Sequence, residues 1–213
     1  MKRGFWIVVL MLSTNLIFGQ NTYCKATVYM NNGSVKTSNF SFLEELTDRY
    51  LYYTDTDEKK PNKVFSDSVR TIVYFQDNNR LIYDRVKVYL GWSQKKYSKR
   101  AIWLNRIDSG EVRLYVNYTT LSAPGTMQNG MITSQGGSAR FSDYYVIRAN
   151  EPAAKIYATI SSFNNNQTFK AKAPLYFADY PALVEKIKNK EYTWKNLMEV
   201  VKIYNEWAHN NRK

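Results

Sequence analysis

The stretch from Phe177 to Trp207 carries a clear helical period, and it constrains the fold more than any other part of the chain. Apolar residues at helical spacing predict two helices in it. The first helix has Leu183, Val184 and Ile187 on one side. The second has a longer apolar stripe, formed by Trp194, Leu197, Met198, Val201, Tyr204 and Ala208. Because an apolar stripe must be buried against another element, the pattern predicts a helical hairpin packed on the rest of the chain.

The ends of these two helices are predicted from their capping residues. Asp179 and Thr193 are candidate N-caps, because a side-chain oxygen there can accept hydrogen bonds from the free N–H groups of the first turn. Pro181 suits a first helical turn, where its missing donor costs little. Binding of a partner by the amphipathic helices, or self-association through them, is the alternative to packing on their own domain.

The residues before the helical stretch alternate between apolar and polar, which is typical of strands. Strands are predicted at residues 24–30, 34–41, 50–54, 69–75, 80–90, 101–107, 111–118, 143–149 and 153–160. The sequence Asn31-Asn32-Gly33 favours a tight hairpin turn between the first two. We therefore expect an α+β fold, in which antiparallel β-hairpins form a half-open barrel or a two-sheet body capped by the C-terminal helical hairpin.

Residues 119–142 are rich in Gly, Ser and Thr and show no period. The segment exceeds the usual length of a loop, so we interpret it as a flexible loop that is either disordered or a functional lid. The predicted organisation is a signal peptide over residues 1–19, an antiparallel β body over 20–163, and a helical segment over 164–213 packed on that body.

The N-terminus has the pattern of an exported protein. Lys2 and Arg3 precede a short apolar core, and a small residue, Gly19, follows it, which predicts a secretory signal peptide. The apolar run is too short for a membrane span. We expect the protein in the periplasm, in the outer envelope or secreted. Cys24 is the only cysteine, so no internal disulfide can form, and we interpret it as a small strand residue.

The chain is strongly basic, with a formal net charge of +12 that falls by two when the signal peptide is removed. Inside a cell this charge would favour nucleic acid as a partner, but export argues against that. Anionic envelope glycans or lipid head groups are the expected counter-surfaces.

Few catalytic chemistries fit the composition. A single histidine, His209, and a single cysteine argue against nucleophilic catalysis and against a zinc site, so no metal and no cofactor is predicted. Paired carboxylates are what a glycosidase needs. The candidate acids on strands or turns are Asp67, Asp77, Asp84, Asp108, Glu111 and Asp143. A carboxylate-based hydrolase acting on glycans is therefore the alternative function, and these acids are otherwise solvated surface residues.

A basic connection between two predicted strands is the best candidate for a binding site. Its residues are Trp92, Lys95, Lys96, Tyr97, Lys99 and Arg100. Clustered cations with aromatic rings can hold an anionic glycan or a lipid head group, since the rings stack on sugars and the cations pair with phosphate or carboxylate. A solvated basic turn without a ligand is the alternative interpretation.

The chain contains several short motifs: Ile17-Phe18-Gly19-Gln20, the Asn32-Gly33 turn, Asp143-Tyr144-Tyr145-Val146, Phe177-Ala178-Asp179-Tyr180-Pro181-x-Leu183, Lys186-Ile187-x-Asn189-Lys190 and Tyr204-Asn205-x-Trp207. In these motifs the chain resembles small exported proteins of unknown function from Bacteroidota. The resemblance implies a β-rich body with a helical C-terminus and names no activity. The sequence thus predicts an exported envelope protein, a non-enzymatic binding or structural accessory.

Overall fold

The computed structural model describes residues 23–55, 60–90, 95–123, 126–128, 131–134, 137–159 and 165–211. The predicted signal peptide and Trp92 lie outside these residues. In the described part of the chain, twelve strands precede three α-helices. The strands are β1 (Tyr23–Met30), β2 (Val35–Ser41), β3 (Tyr50–Thr54), β4 (Asn62–Phe65), β5 (Val69–Gln76), β6 (Asn79–Val86), β7 (Ile102–Asp108), β8 (Val112–Ala123), β9 (Thr126–Gln128), β10 (Met131–Ser134), β11 (Gly137–Arg148) and β12 (Lys155–Thr159). The helices are α1 (Asn165–Tyr176), α2 (Pro181–Lys188) and α3 (Leu197–Asn211), and short 3-10 turns cover Ser66–Ser68 and Trp194–Asn196.

Ten of the strands form one open antiparallel sheet, in the order β12-β11-β8-β7-β6-β5-β1-β2-β3-β4, and β9 pairs with β10 separately. The predicted α+β class with antiparallel hairpins is confirmed. The predicted barrel is not supported, because the sheet is not closed, and the ten strands form one sheet rather than two. The hairpins are joined through β1, which pairs with β2 on one side and with β5 on the other.

The segment predicted as a loop at residues 119–142 holds strand residues instead. The β8–β11 hairpin continues in register from the Val112–Arg148 pair to the Ala123–Gly137 pair. Backbone pairing needs N–H and C=O groups only, so a strand can extend through a sequence without apolar alternation. The strands β9 and β10 form a further short antiparallel pair in the same segment.

The two faces of the sheet are buried by different elements. In β8, Leu114 and Tyr115 point to opposite faces and are both fully buried. Leu114 lies in a cluster with residues of all three helices, whereas Tyr115 packs with Leu104 and Val86 on the other face. A third cluster, around β1, β5 and Trp103, completes the core. The helices therefore cover one face at the β8–β11 end of the sheet.

The predicted packing of the C-terminal helices on the β-strands is confirmed in outline. Leu183 and Ile187 of α2 and Val201 of α3 are buried, as their spacing predicts. Met198 does not belong to the buried stripe, since it is 54 % exposed, and Val200 takes the inward position instead. The helix α1 also packs here, through Phe169, Ala173 and Phe177 just beyond its end.

One side chain joins α3 directly to the sheet. The side-chain oxygen of Asn205 accepts from the N–H of Val112 at 2.9 Å, and its amide nitrogen donates to the Val112 carbonyl at 2.9 Å. Val112 is fully buried, so this pair of bonds satisfies both of its backbone polar groups on that side. Asn205 therefore sets the position of α3 along β8.

Pro181 opens α2 as predicted, and Thr193 is the N-cap of the 3-10 turn that leads into α3. The prediction of Asp179 as a cap is wrong, because the cap residue of α2 is Tyr180. Asp179 accepts instead from the hydroxyl of Tyr204 at 2.6 Å and pairs with Arg148 at 3.2 Å. Partial burial raises the pKa of Asp179, but the hydrogen bonds from Arg148 and Tyr204 outweigh it and lower the pKa overall. The carboxylate thus fastens the helices to β11 rather than capping one of them.

Among the described residues, no helix has the length and apolar character needed to cross a membrane.

Candidate functional site

Two adjoining depressions lined by basic side chains lie beside the start of β5 and the end of β6. Their volumes are about 250 and 290 Å³. Both are lined by Asp67, Arg85 and Arg100. The first adds Arg49, and the second adds Arg70, Lys87 and Lys99. We call the two together the cationic groove, with the charged residues Arg49, Asp67, Arg70, Arg85, Lys87, Lys99 and Arg100.

Arg85 is the buried centre of the groove. It lies on β6 opposite Trp103 of β7, and its guanidinium carbon is 5.2 Å from the centre of the indole ring. Its side chain is only 7 % exposed. One nitrogen, Nη2, donates to Asp67 at 2.5 Å. Among the described residues, none accepts a hydrogen bond from the other two nitrogens, Nε and Nη1, which are also buried.

A buried guanidinium with unpaired N–H groups is costly for a folded protein. Buried polar groups almost always have a partner, and one left without any costs about 1–3 kcal/mol, more when it is charged. The stacking on Trp103 offsets part of this cost through the cation–π attraction. Arg85 therefore retains two donor nitrogens without an acceptor at the wall of the groove.

Asp67 is placed by local structure at the turn between β4 and β5. It is the middle residue of the 3-10 turn Ser66–Ser68. Asn31, in the β1–β2 hairpin turn, donates from its side chain to the Asp67 carbonyl at 2.8 Å, and its N–H donates to the Ser68 carbonyl at 2.8 Å. The carboxylate therefore meets Arg85 from a fixed backbone position.

The residues that line the groove carry an excess of positive charge. Six basic side chains surround one carboxylate, and Asp67 is already paired with Arg85. A concave surface with one sign of charge focuses the field and raises the local concentration of counter-ions. The groove is thus suited to anionic groups such as phosphate, sulfate or carboxylate.

The predicted basic–aromatic cluster is brought to this site only in part. Lys99 and Arg100 line the groove. Lys95, Lys96 and Tyr97 are exposed but do not line either depression. Tyr97 instead packs edge-on against Tyr89 at 5.9 Å, with the Lys87 amine 5.5 Å from its ring centre. Trp92 lies outside the described residues, so its predicted stacking role stays a prediction.

Four of the groove's cations were not identified from the sequence: Arg49, Arg70, Arg85 and Lys87. Arg85 and Lys87 alternate with the apolar Val86 and Val88 in the strand predicted at residues 80–90, and this pattern alone does not distinguish a binding residue from an ordinary polar strand face. The signal that could have marked Arg85 is its pairing with Trp103 across two strands, which is a long-range feature. Its burial depends further on Asp67, which is distant from the strand in sequence.

Of the predicted acids, Asp84 is buried, and its carboxylate stabilises the opposite face of the sheet. Asp84 accepts from the hydroxyls of Thr71 at 2.7 Å and Tyr115 at 2.9 Å, and Arg106 lies 3.5 Å away. Burial, together with the neighbouring Asp84 charge, raises the pKa of Tyr115, so that hydroxyl stays a donor. The oxygens of Asp84 are thus engaged in a hydrogen-bond network inside the sheet. We therefore interpret Asp84 as a structural residue and not as a catalytic acid.

A larger cleft of about 430 Å³ lies where β8 leaves β7. The N–H of Trp103 there donates to the carbonyl of Leu46 at 2.8 Å, so the loop after β2 takes the place of a neighbouring strand. The acids of the cleft, Glu44 and Glu45, are consecutive residues of that loop, and both N–H groups donate to Asp48. They are not opposed across the cleft, as the two carboxylates of a glycosidase are.

Among the described residues, no group of three or more His, Cys, Asp or Glu side chains is placed to hold a metal ion. Comparisons of the chain with protein-family models, with curated proteins and with solved structures find no match.

Proposed function

We propose that this protein is a non-enzymatic binding protein that holds an anionic ligand in the cationic groove. The observation that carries the proposal is Arg85, a buried guanidinium with two nitrogens that have no acceptor among the described residues. Charge-assisted hydrogen bonds to phosphate or carboxylate are about twice as strong as neutral ones, and the fork of the guanidinium fits both groups. A bound anion would remove the cost of the unpaired donors.

The expected location and the shape of the site narrow the ligand class. A signal peptide is expected from the sequence, which would place the protein among the anionic polymers of a cell envelope. The Arg85 side chain is recessed, with 7 % of it exposed, so a flat bilayer surface has poor access to its donors. An anionic group that projects from a chain, as on an acidic or phosphorylated glycan, reaches it more readily.

The hydrolase alternative has less support than binding. Of the acids that could act, Asp67 is ion-paired with Arg85 and Asp84 is engaged with Thr71 and Tyr115. A general acid and a general base need separate access to a scissile bond. We therefore favour binding as the function of the groove.

The test is a calorimetric titration of the purified protein with inorganic phosphate, with sulfate and with galacturonate. We expect saturable binding with a dissociation constant of about 1 mM or tighter, since each charge-assisted bond contributes about 1.5–3 kcal/mol. Lys99→Gln, which removes one exposed cation of the groove, should weaken binding by several-fold. Arg85→Lys should weaken it more, because the charge stays and the fork of donors is lost.

The matched control is Lys195→Gln, which removes one exposed cation from the helical region and should leave binding unchanged. Thermal unfolding of each variant verifies that it is folded. If phosphate, sulfate and galacturonate all fail to bind at about 10 mM, well above the expected constant, the proposal is overturned.

A further inference from the structure

We infer that the ligand is a linear polyanion whose successive charged groups occupy both depressions of the cationic groove. This inference rests on the proposed function and extends it from one anionic group to a repeated one. The two depressions share Arg85 and Arg100, and each has cations of its own. A single phosphate or carboxylate would leave one of the two depressions uncompensated.

The geometry of the guanidinium supports two acceptors rather than one. Arg85 has five N–H donors in a planar fork, and a bidentate anion uses two nitrogens on one edge of that fork. Nε and Nη1 do not share an edge, because each forms an edge only with Nη2. Since both are buried without an acceptor among the described residues, satisfying them takes two separate acceptor groups.

The placement of the other cations agrees with two subsites. Arg49 lines only the first depression, together with Thr47 and Phe65. Arg70 and Lys99 line only the second. Arg85 and Asp67 line both depressions, so their ion pair lies where the two adjoin. A chain with charges at regular intervals can therefore place one group in each depression.

Linking two anionic groups makes the second contact intramolecular, so affinity rises without any new type of contact. The test compares a monomer with a trimer in two chemistries: inorganic phosphate with tripolyphosphate, and galacturonic acid with trigalacturonic acid. At about 0.15 M salt, where the Debye length is about 8 Å, we expect one trimer to bind at least about tenfold more tightly than its monomer. The series that gives this ratio identifies the anionic group as phosphate or carboxylate.

Variants separate the two subsites. Arg49→Gln and Lys99→Gln each remove a cation that belongs to one depression only, so each should weaken trimer binding by several-fold. Lys99→Gln should also weaken monomer binding and Arg49→Gln should not, because a monomer occupies one subsite and the second depression has more cations of its own. Lys195→Gln should change neither.

The outcomes distinguish this inference from the proposed function. If monomer and trimer bind equally well, the inference is wrong and the proposed function stands. If neither binds, both are wrong. A loss for Lys195→Gln equal to that for Arg49→Gln would mean attraction to the overall charge, and would overturn the inference. So would binding confined to vesicles of equal parts phosphatidylglycerol and phosphatidylcholine, which would assign the groove to a bilayer surface.

Discussion

The contact between Asn205 and Val112 gives a sharp prediction about how the helices are held on the sheet. In Asn205→Ala, the N–H and C=O groups of fully buried Val112 lose their 2.9 Å partners. An unpaired buried polar group costs about 1–3 kcal/mol, so the two together cost about 2–6 kcal/mol. Because water can enter the space that the amide leaves, we expect about 3 kcal/mol. That is a large part of the 5–15 kcal/mol typical of a folded protein.

Gly110 tests the same contact from the other side. A Cβ added there would lie 2.5 Å from the side-chain carbon Cγ of Asn205, and its three nearest atoms all belong to that side chain. Gly110→Ala must therefore displace the amide, at a cost of about 1–3 kcal/mol. In the Asn205→Ala background the obstruction is gone, so the two substitutions should be strongly non-additive.

The assay is urea unfolding of the four proteins of this cycle, with Ser109→Ala as an exposed control expected to change the free energy of unfolding by less than about 0.5 kcal/mol. The predicted coupling between Gly110→Ala and Asn205→Ala is about 1–3 kcal/mol. Equal effects of Gly110→Ala in both backgrounds would contradict the predicted contact between Gly110 and Asn205, and an Asn205→Ala protein as stable as the wild type would contradict the role of Asn205.

Two further predictions concern the same helical region. Leu197 is 2 % exposed, so Leu197→Ala should lower the free energy of unfolding by about 2–5 kcal/mol. Its neighbour Met198 is 54 % exposed, so Met198→Ala should change the free energy of unfolding by less than about 0.5 kcal/mol. Equal losses for the two variants in urea unfolding would contradict the observed buried stripe of α3. Asp179→Asn should destabilise the protein at pH 7, because the lowered pKa of Asp179 means that its ionised form is favoured by the folded state. Since a depressed carboxyl pKa contributes stability above the ordinary pKa of Asp, near 3.9, and loses it as the pH falls through the folded value, the difference from wild type should shrink below about pH 4. A difference that stays constant from pH 7 to pH 3 in unfolding experiments would contradict the ion pair with Arg148.

Local signals in the sequence predict much of the sheet. The strand at Tyr50–Thr54 and the turn at Asn32-Gly33 lie where they were predicted, with Gly33 at a φ of +86° that favours glycine. The strand at Asn62–Phe65 was missed, since it is four residues long and directly follows Pro61, which is a breaker signal. The way in which the hairpins join was not predictable, because the β1–β5 pairing is set by contacts between residues distant in sequence.

The helix α1 shows how packing overrides local signals. It begins in an Asn-rich stretch and contains Pro174, so neither its start nor its interior resembles a helix in sequence. Burial of Phe169 and Ala173 against the other helices stabilises it. Similarly, Tyr118 continues the inward alternation of β8 but is 55 % exposed, because β8 has left the edge of β7 at that point.

The positive charge of the candidate site was predictable from the sequence, but Arg85 at its centre was not. Lys99 and Arg100 stand out in a basic connection and line the groove. The decisive residue, Arg85, is buried in contact with Trp103 and Asp67, which belong to other elements. Such an environment follows from tertiary structure and leaves no periodic trace in the sequence.

Binding in the cationic groove can be tested directly by observing the Arg85 guanidinium by NMR while inorganic phosphate is added. The Nε–H resonance of Arg85, assigned by its loss in Arg85→Lys, should be protected from exchange because the side chain is 7 % exposed. We predict that this resonance shifts saturably with phosphate, in parallel with the calorimetric binding curve, and that Lys195→Gln leaves the shift unchanged. If phosphate moves the signals of exposed lysines while the Arg85 resonance stays in place, the groove is not a binding site and the central claim is wrong.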